Sequence, residues 1–84
     1  MVNKPWDRKH EAFQEAIKEV RNQSELKQQE LAEKLGKPQS YVSKYERGER
    51  KLDYLEVMDV LEACGSGVKE FQALYERKQS FDIK

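Results

Sequence analysis

The chain has 84 residues, of which 38% are charged, and its sixteen Lys/Arg and sixteen Asp/Glu leave a formal net charge of zero. That length supports one domain with one core, burying about 60% of the surface the unfolded chain exposes. The lone cysteine, Cys64, excludes an intramolecular disulfide, and no apolar run approaches the ~18 residues of a membrane-spanning helix. The start, "MVNKPWDRKH", has no apolar stretch of the kind a secretory signal carries, so a reducing, cytoplasmic setting is expected, with no membrane partner.

In chain order, the pattern predicts five helices and no strand. The first starts near Asp7–Lys9 and runs to about Asn22, with Phe13, Ala16, Ile17 and Val20 forming one apolar stripe and Trp6 closing one end of the core. The second covers about 28–35, with Leu31, Ala32 and Leu35 inward and Gly36 just past its end. Pro38 suits the first turn of a third helix, which runs to about Arg47 and stops at Gly48. Asp53-Tyr-Leu-Glu56 reads as a capping box opening a fourth helix, with Leu55, Met58, Leu61 and Val57 facing in. Gly65 and Gly67 end it. Ser66 caps a fifth helix through about Lys78, whose Val68, Phe71, Leu74 and Tyr75 share a side, and 79–84 form a short tail. The fold class expected is all-α, a compact five-helix bundle occupying about 9–78. A second helix of eight residues is too short to persist alone, so 28–47 is part of that fold.

Charge is neutral overall but not locally. Residues 27–51 hold seven Lys/Arg against four Asp/Glu, net +3, while 52–84 hold four against seven, net −3. A local positive field steers a polyanion better than net charge does. At about 100° per residue, the third helix turns Val42 and Tyr45 to one side. Gln39, Ser40, Ser43, Lys44 and Arg47 fall on the other. That outer face has amide, hydroxyl and cationic groups and no carboxylate, the inventory that hydrogen-bonds base edges and phosphates. Glu46 lies toward the buried edge. Lys27 and Gln28 stand at the N-terminus of the second helix, a position suited to a phosphate. Arg50 and Lys51 follow the third helix and reach flanking backbone. The bland alternatives are a helical hairpin that merely packs, and solvated serines and surface charges in place of contacts.

The stretch "LKQQELAEKLGKPQSYVSKYERGER" resembles the helix-turn-helix of the Cro and phage-repressor (XRE) family. Leu26, Gln28, Leu31, Ala32, Gly36, Val42, Ser43, Glu46 and Gly48 fit that family's pattern with its spacing. The resemblance implies a lambda-repressor-like fold and a sequence-specific DNA-binding transcriptional regulator. The helix at 38–47 would enter the major groove of double-stranded DNA, with the chain as a homodimer on a palindromic operator. By position, Gln39, Ser40, Ser43 and Lys44 would meet bases. Lys27, Gln28, Lys37, Tyr41, Arg47, Arg50 and Lys51 would meet the DNA backbone. Arg21 and Glu46 occupy the places of an ion pair found in several members. The sequence departs from the pattern at Lys27, which stands where a threonine cap is usual, at Lys37-Pro38, which replaces Val-Ser, and at Tyr41, which replaces a small polar residue. Apolar groups of the fifth helix and the tail, Phe81 and Ile83, are the expected dimer surface.

No nucleophile–base pairing, phosphate-binding glycine loop or metal-ligand spacing is present, so neither an enzyme nor a cofactor or small-molecule ligand is expected. His10 has no Cys/His cluster near it and is read as no metal ligand. Cys64 is read as a small buried hydrophobe. The rival to a DNA-binding reading is a protein-interaction module on the same fold, whose acidic C-terminal part docks on a basic partner.

Overall fold

The structure, a computed structural model, describes residues 5–81 and the side chains of residues 8–80. It contains five helices: α1 (Pro5–Gln23), α2 (Gln28–Leu35), α3 (Gln39–Glu46), α4 (Tyr54–Ala63) and α5 (Val68–Phe81). Among the described residues there is no strand, and no helix is long and apolar enough to cross a membrane. Trp6, whose place at the end of the core was expected, lies outside the described side chains, as do Phe81 and Ile83.

The core is built by one face of each helix. Ala12, Ala16, Ile17 and Val20 of α1 are buried, joined by Leu31 and Ala32, Val42 and Tyr45, Val60 and Leu61, and Phe71 and Leu74. Each fully buried Ile or Leu side chain contributes about 1.5–3 kcal/mol relative to exposure. α1 packs mainly on α5 and α2 mainly on α3. Phe13 of α1 meets Phe71 of α5 edge-on at 5.6 Å between ring centroids. Lys78 Nζ sits 2.6 Å from Glu19 Oε1 at the far end of the same pair of helices.

Two turns hold the helix-turn-helix in shape. Gly36 closes α2 in the left-handed region at φ 70°, its N–H reaching Glu33 O at 3.1 Å while Lys37 N–H reaches Ala32 O at 2.9 Å. Gly48 adopts φ 80°, and a Cβ there would fall 2.0 Å from the Gln14 amide nitrogen of α1. The α1–α2 turn instead places a non-glycine residue, Glu25, at φ 62°.

The structure revises several boundary and packing expectations: α1 opens at Pro5, before Asp7, and α5 runs to Phe81, so 79–81 belong to the helix and not to a tail. Pro38 is the N-cap of α3, with φ −71° and ψ 157°, and not its first helical residue; its carbonyl accepts the Tyr41 N–H at 3.0 Å. The helix expected over 38–47 therefore spans Gln39–Glu46. On α4, Leu55 and Met58 were expected inward but are 70% and 40% exposed, beside Tyr54 at 67%. The face that packs is Val57, Val60, Leu61 and Cys64. On α5, Val68 is likewise turned out, 45% exposed, and the helix opens one residue later than a Ser66 cap would give, with the Gly67 carbonyl accepting the Phe71 N–H at 3.0 Å. Phe71, Leu74 and Tyr75 form the side that packs on the core.

Candidate nucleic-acid interface

α2 and α3 form a helix-turn-helix whose interior is apolar and whose outside is polar. Val42 and Tyr45 anchor α3 in the core, so Gln39, Ser40 and Lys44, on the opposite side, are exposed, and Ser43 is half-buried. The Tyr45 hydroxyl is buried and has no hydrogen-bond partner in the protein; desolvation pushes its pKa up, so it stays neutral.

A polar chain runs from the core to this face. Glu46, with a side chain 3% exposed, receives Arg21 Nε at 2.7 Å on one oxygen. Its other oxygen accepts Arg21 Nη2 at 3.0 Å and Gln28 Nε2 at 2.9 Å. Gln39 Nε2 then donates to Gln28 Oε1 at 3.4 Å. Arg21 also donates through Nη1 to the Leu26 carbonyl at 2.9 Å, tying the α1–α2 turn to the same group. The hydrogen bond to Glu46 raises the Arg21 pKa despite burial. One buried ion pair thus ties α1 to α3, and Gln28 links it to the exposed Gln39. Gln39 spends one of its two N–H donors on Gln28 and keeps the other, with its carbonyl, for the outside.

The N-terminus of α2 is only half capped. The Lys27 N–H donates to the Glu30 carboxylate at 2.8 Å, but a lysine side chain has no acceptor to return the bond. The exposed Lys27 ammonium stands at the site where a phosphate would find free N–H groups.

On the other flank Tyr41 is half-buried. Its ring meets Tyr45 edge-on at 5.6 Å between centroids, with Lys37 Nζ 5.4 Å and Arg50 Cζ 4.7 Å from its own centroid. The Lys37 and Tyr41 departures from the usual pattern therefore meet in one cluster. Desolvation pushes the Tyr41 pKa up, and it too remains neutral.

Two carboxylates belong to this surface: Glu49, which the sequence did not point to, and Glu56, expected only as a cap of α4. Glu49 holds Arg47 through Nε at 3.0 Å and Nη2 at 3.1 Å, while Arg47 Nη1 also bonds the Ser43 hydroxyl. Glu56 holds Arg50 through Nη1 at 3.2 Å and Nη2 at 3.0 Å. It also completes the α4 capping box: Asp53 N–H donates to Glu56 Oε1 at 3.0 Å, and Glu56 N–H to Asp53 Oδ1 at 2.8 Å. The bond from its arginine is the first cause holding each carboxylate below its ordinary pKa. The outer face of α3 carries no carboxylate of its own, yet the α3–α4 loop folds one back against Arg47. Lys51 is exposed in the same loop. Among the described residues no cluster of His, Cys, Asp and Glu has the makings of a metal site.

A two-helix unit with an anchored inner face, a glycine turn and an amide-and-cation outer face is a helix-turn-helix module. The family model described as helix-turn-helix matches residues 17–71. A solved structure, an XRE-family like protein from Pseudomonas syringae pv. tomato str. DC3000, is 35% identical, with a TM-score of 0.71 over 88% of this chain and 87% of that one. No curated protein matches the chain. The chain belongs to the XRE family of helix-turn-helix proteins, and with that fold it is a DNA-binding regulator of transcription.

Proposed function

We propose that the chain reads a specific operator by laying α3 in the major groove of double-stranded DNA. The observation that carries this reading is the polar chain from Arg21 through Glu46 and Gln28, which fixes Gln39 at the head of an outward face otherwise made of Ser40, Ser43 and Lys44. A side chain oriented by a neighbour that is itself tied to a buried ion pair reads a base edge at reduced entropic cost. Gln39 pairs with adenine N6 and N7, Lys44 with guanine O6 and N7, and the serines with either bases or backbone. Lys27, Gln28, Lys37, Tyr41, Arg47, Arg50 and Lys51 line the phosphates on either side. Gln28 uses one amide N–H on Glu46 and keeps the other for a phosphate oxygen.

The homodimer is part of the same proposal. Two copies address half-sites about one helical turn, ~34 Å, apart. Among the described side chains, the apolar surface in need of cover is Tyr54, Leu55 and Met58 of α4, with only Val68 added by α5. The contact between copies is therefore centred on α4, with α5 at its side. Selection from random duplexes, followed by sizing of the complex, tests both parts: a palindromic motif bound by two chains supports them, and recovery of no preferred sequence at low salt contradicts them.

A further inference from the structure

Both arginines that close the recognition unit are already occupied. Arg47 is gripped by Glu49 and Arg50 by Glu56, each through two donors of one guanidinium. The nearby lysines lie in the same fields: Lys44 acts on Glu49 and Lys37 on Glu56. These pairs are exposed, so they add little to stability. Their position matters more. A carboxylate and a phosphate oxygen pair make the same two parallel bonds to a guanidinium, so they compete for it.

We propose that Glu49 and Glu56 are specificity-determining residues, acting as internal stand-ins for phosphate that the correct duplex must displace. This rests on the DNA-binding reading above. Where α3 seats fully, two arginine–phosphate pairs replace two arginine–carboxylate pairs, and the exchange is nearly balanced. Where the fit is poor, the arginines stay on their glutamates. The duplex then meets two carboxylates and gains nothing from either cation. Non-specific binding, which is almost wholly electrostatic, is weakened more than specific binding. Tyr41 keeps Arg50 close to the site throughout, since its ring lies 4.7 Å from the guanidinium carbon.

Glu56 also caps α4, but glutamine serves that position equally well, so Glu56→Gln removes the charge and keeps the cap. The test uses the full chain carrying Glu49→Gln and Glu56→Gln together. A control chain carries Glu11→Gln and Glu15→Gln, two exposed positions on α1 that raise the net charge equally. Affinity is measured against the duplex returned by selection and against an unrelated duplex, across a salt series, with thermal melts to confirm folding. On the unrelated duplex, binding tightens roughly tenfold and the slope of log affinity against log salt steepens by about two, one for each released arginine. On the selected duplex the gain is smaller, so discrimination falls, and the control chain shows neither change. Equal tightening on both duplexes, no change on either, or weaker binding to the selected duplex overturns the inference and leaves the DNA-binding reading standing. Wild-type chain that folds but binds neither duplex at low salt overturns both.

Discussion

Arg21 of α1 and Glu46 of α3 form a two-pronged ion pair, at 2.7 and 3.0 Å, with side chains only 11% and 3% exposed. The two residues are 25 positions apart in sequence, and their pairing ties α3 to α1. Removing one partner leaves the other charge buried. Arg21→Met is expected to cost about 3–5 kcal/mol, and Arg21→Met combined with Glu46→Leu much less, because the double change buries no charge. Urea unfolding of the two variants checks this; equal losses would mean that the charge left behind is not what matters.

The Tyr45 hydroxyl predicts the opposite sign. It is buried without a protein partner, so Tyr45→Phe removes a desolvated polar atom and keeps the ring packed beside Tyr41. Stability is expected to hold or rise by up to about 1 kcal/mol. A loss larger than that, read from the urea midpoint, would show that the hydroxyl has a partner worth keeping.

Glu25 sits at φ 62°, where a side chain is disfavoured by roughly 1 kcal/mol and glycine is not. Glu25→Gly is therefore expected to raise the melting temperature by a few degrees. Glu25→Val, branched at Cβ, should lower it.

Glu49 and Glu56 are both held below their ordinary pKa by their arginines. A carboxylate depressed in the folded state contributes stability that is present above its unfolded pKa, about 4.3 for glutamate. That contribution is lost as pH falls through the lower folded value. Both pairs are exposed, so the effect is small: below about pH 4.3 the melting temperature should drop slightly more steeply in the wild-type chain than in the chain carrying Glu49→Gln and Glu56→Gln. Parallel curves for the two chains would contradict the assignment.

Much of the fold was legible because single residues decide single features. Gly36 marks the end of α2 since no other residue adopts its left-handed turn as cheaply. Asp53 and Glu56 announce α4 by the reciprocal bonds they form. The facing of α4 was legible only in part: Leu61 and Val57 pack inward as expected, Leu55 and Met58 do not. Leu55 and Met58 make one stripe at helical spacing, and Val57, Val60, Leu61 and Cys64 make another; periodicity alone cannot choose between them, and packing against the other helices does. The pairing of Glu49 and Glu56 with arginines was not legible for a related reason. They reach Arg47 and Arg50 across a loop, whose path has no period to read. Arg21 and Glu46 were found through family resemblance, since no spacing rule links positions on α1 and α3.

The central claim is that the outer face of α3 reads bases, and Gln39 tests it most directly. Binding of wild-type chain and of Gln39→Ala should be measured on the selected duplex and on a scrambled one, at one fixed salt concentration. Gln39→Ala is expected to lose about 1–3 kcal/mol on the selected duplex, roughly five- to 150-fold, and almost nothing on the scrambled duplex. Equal loss on both, or no loss on either, would contradict it.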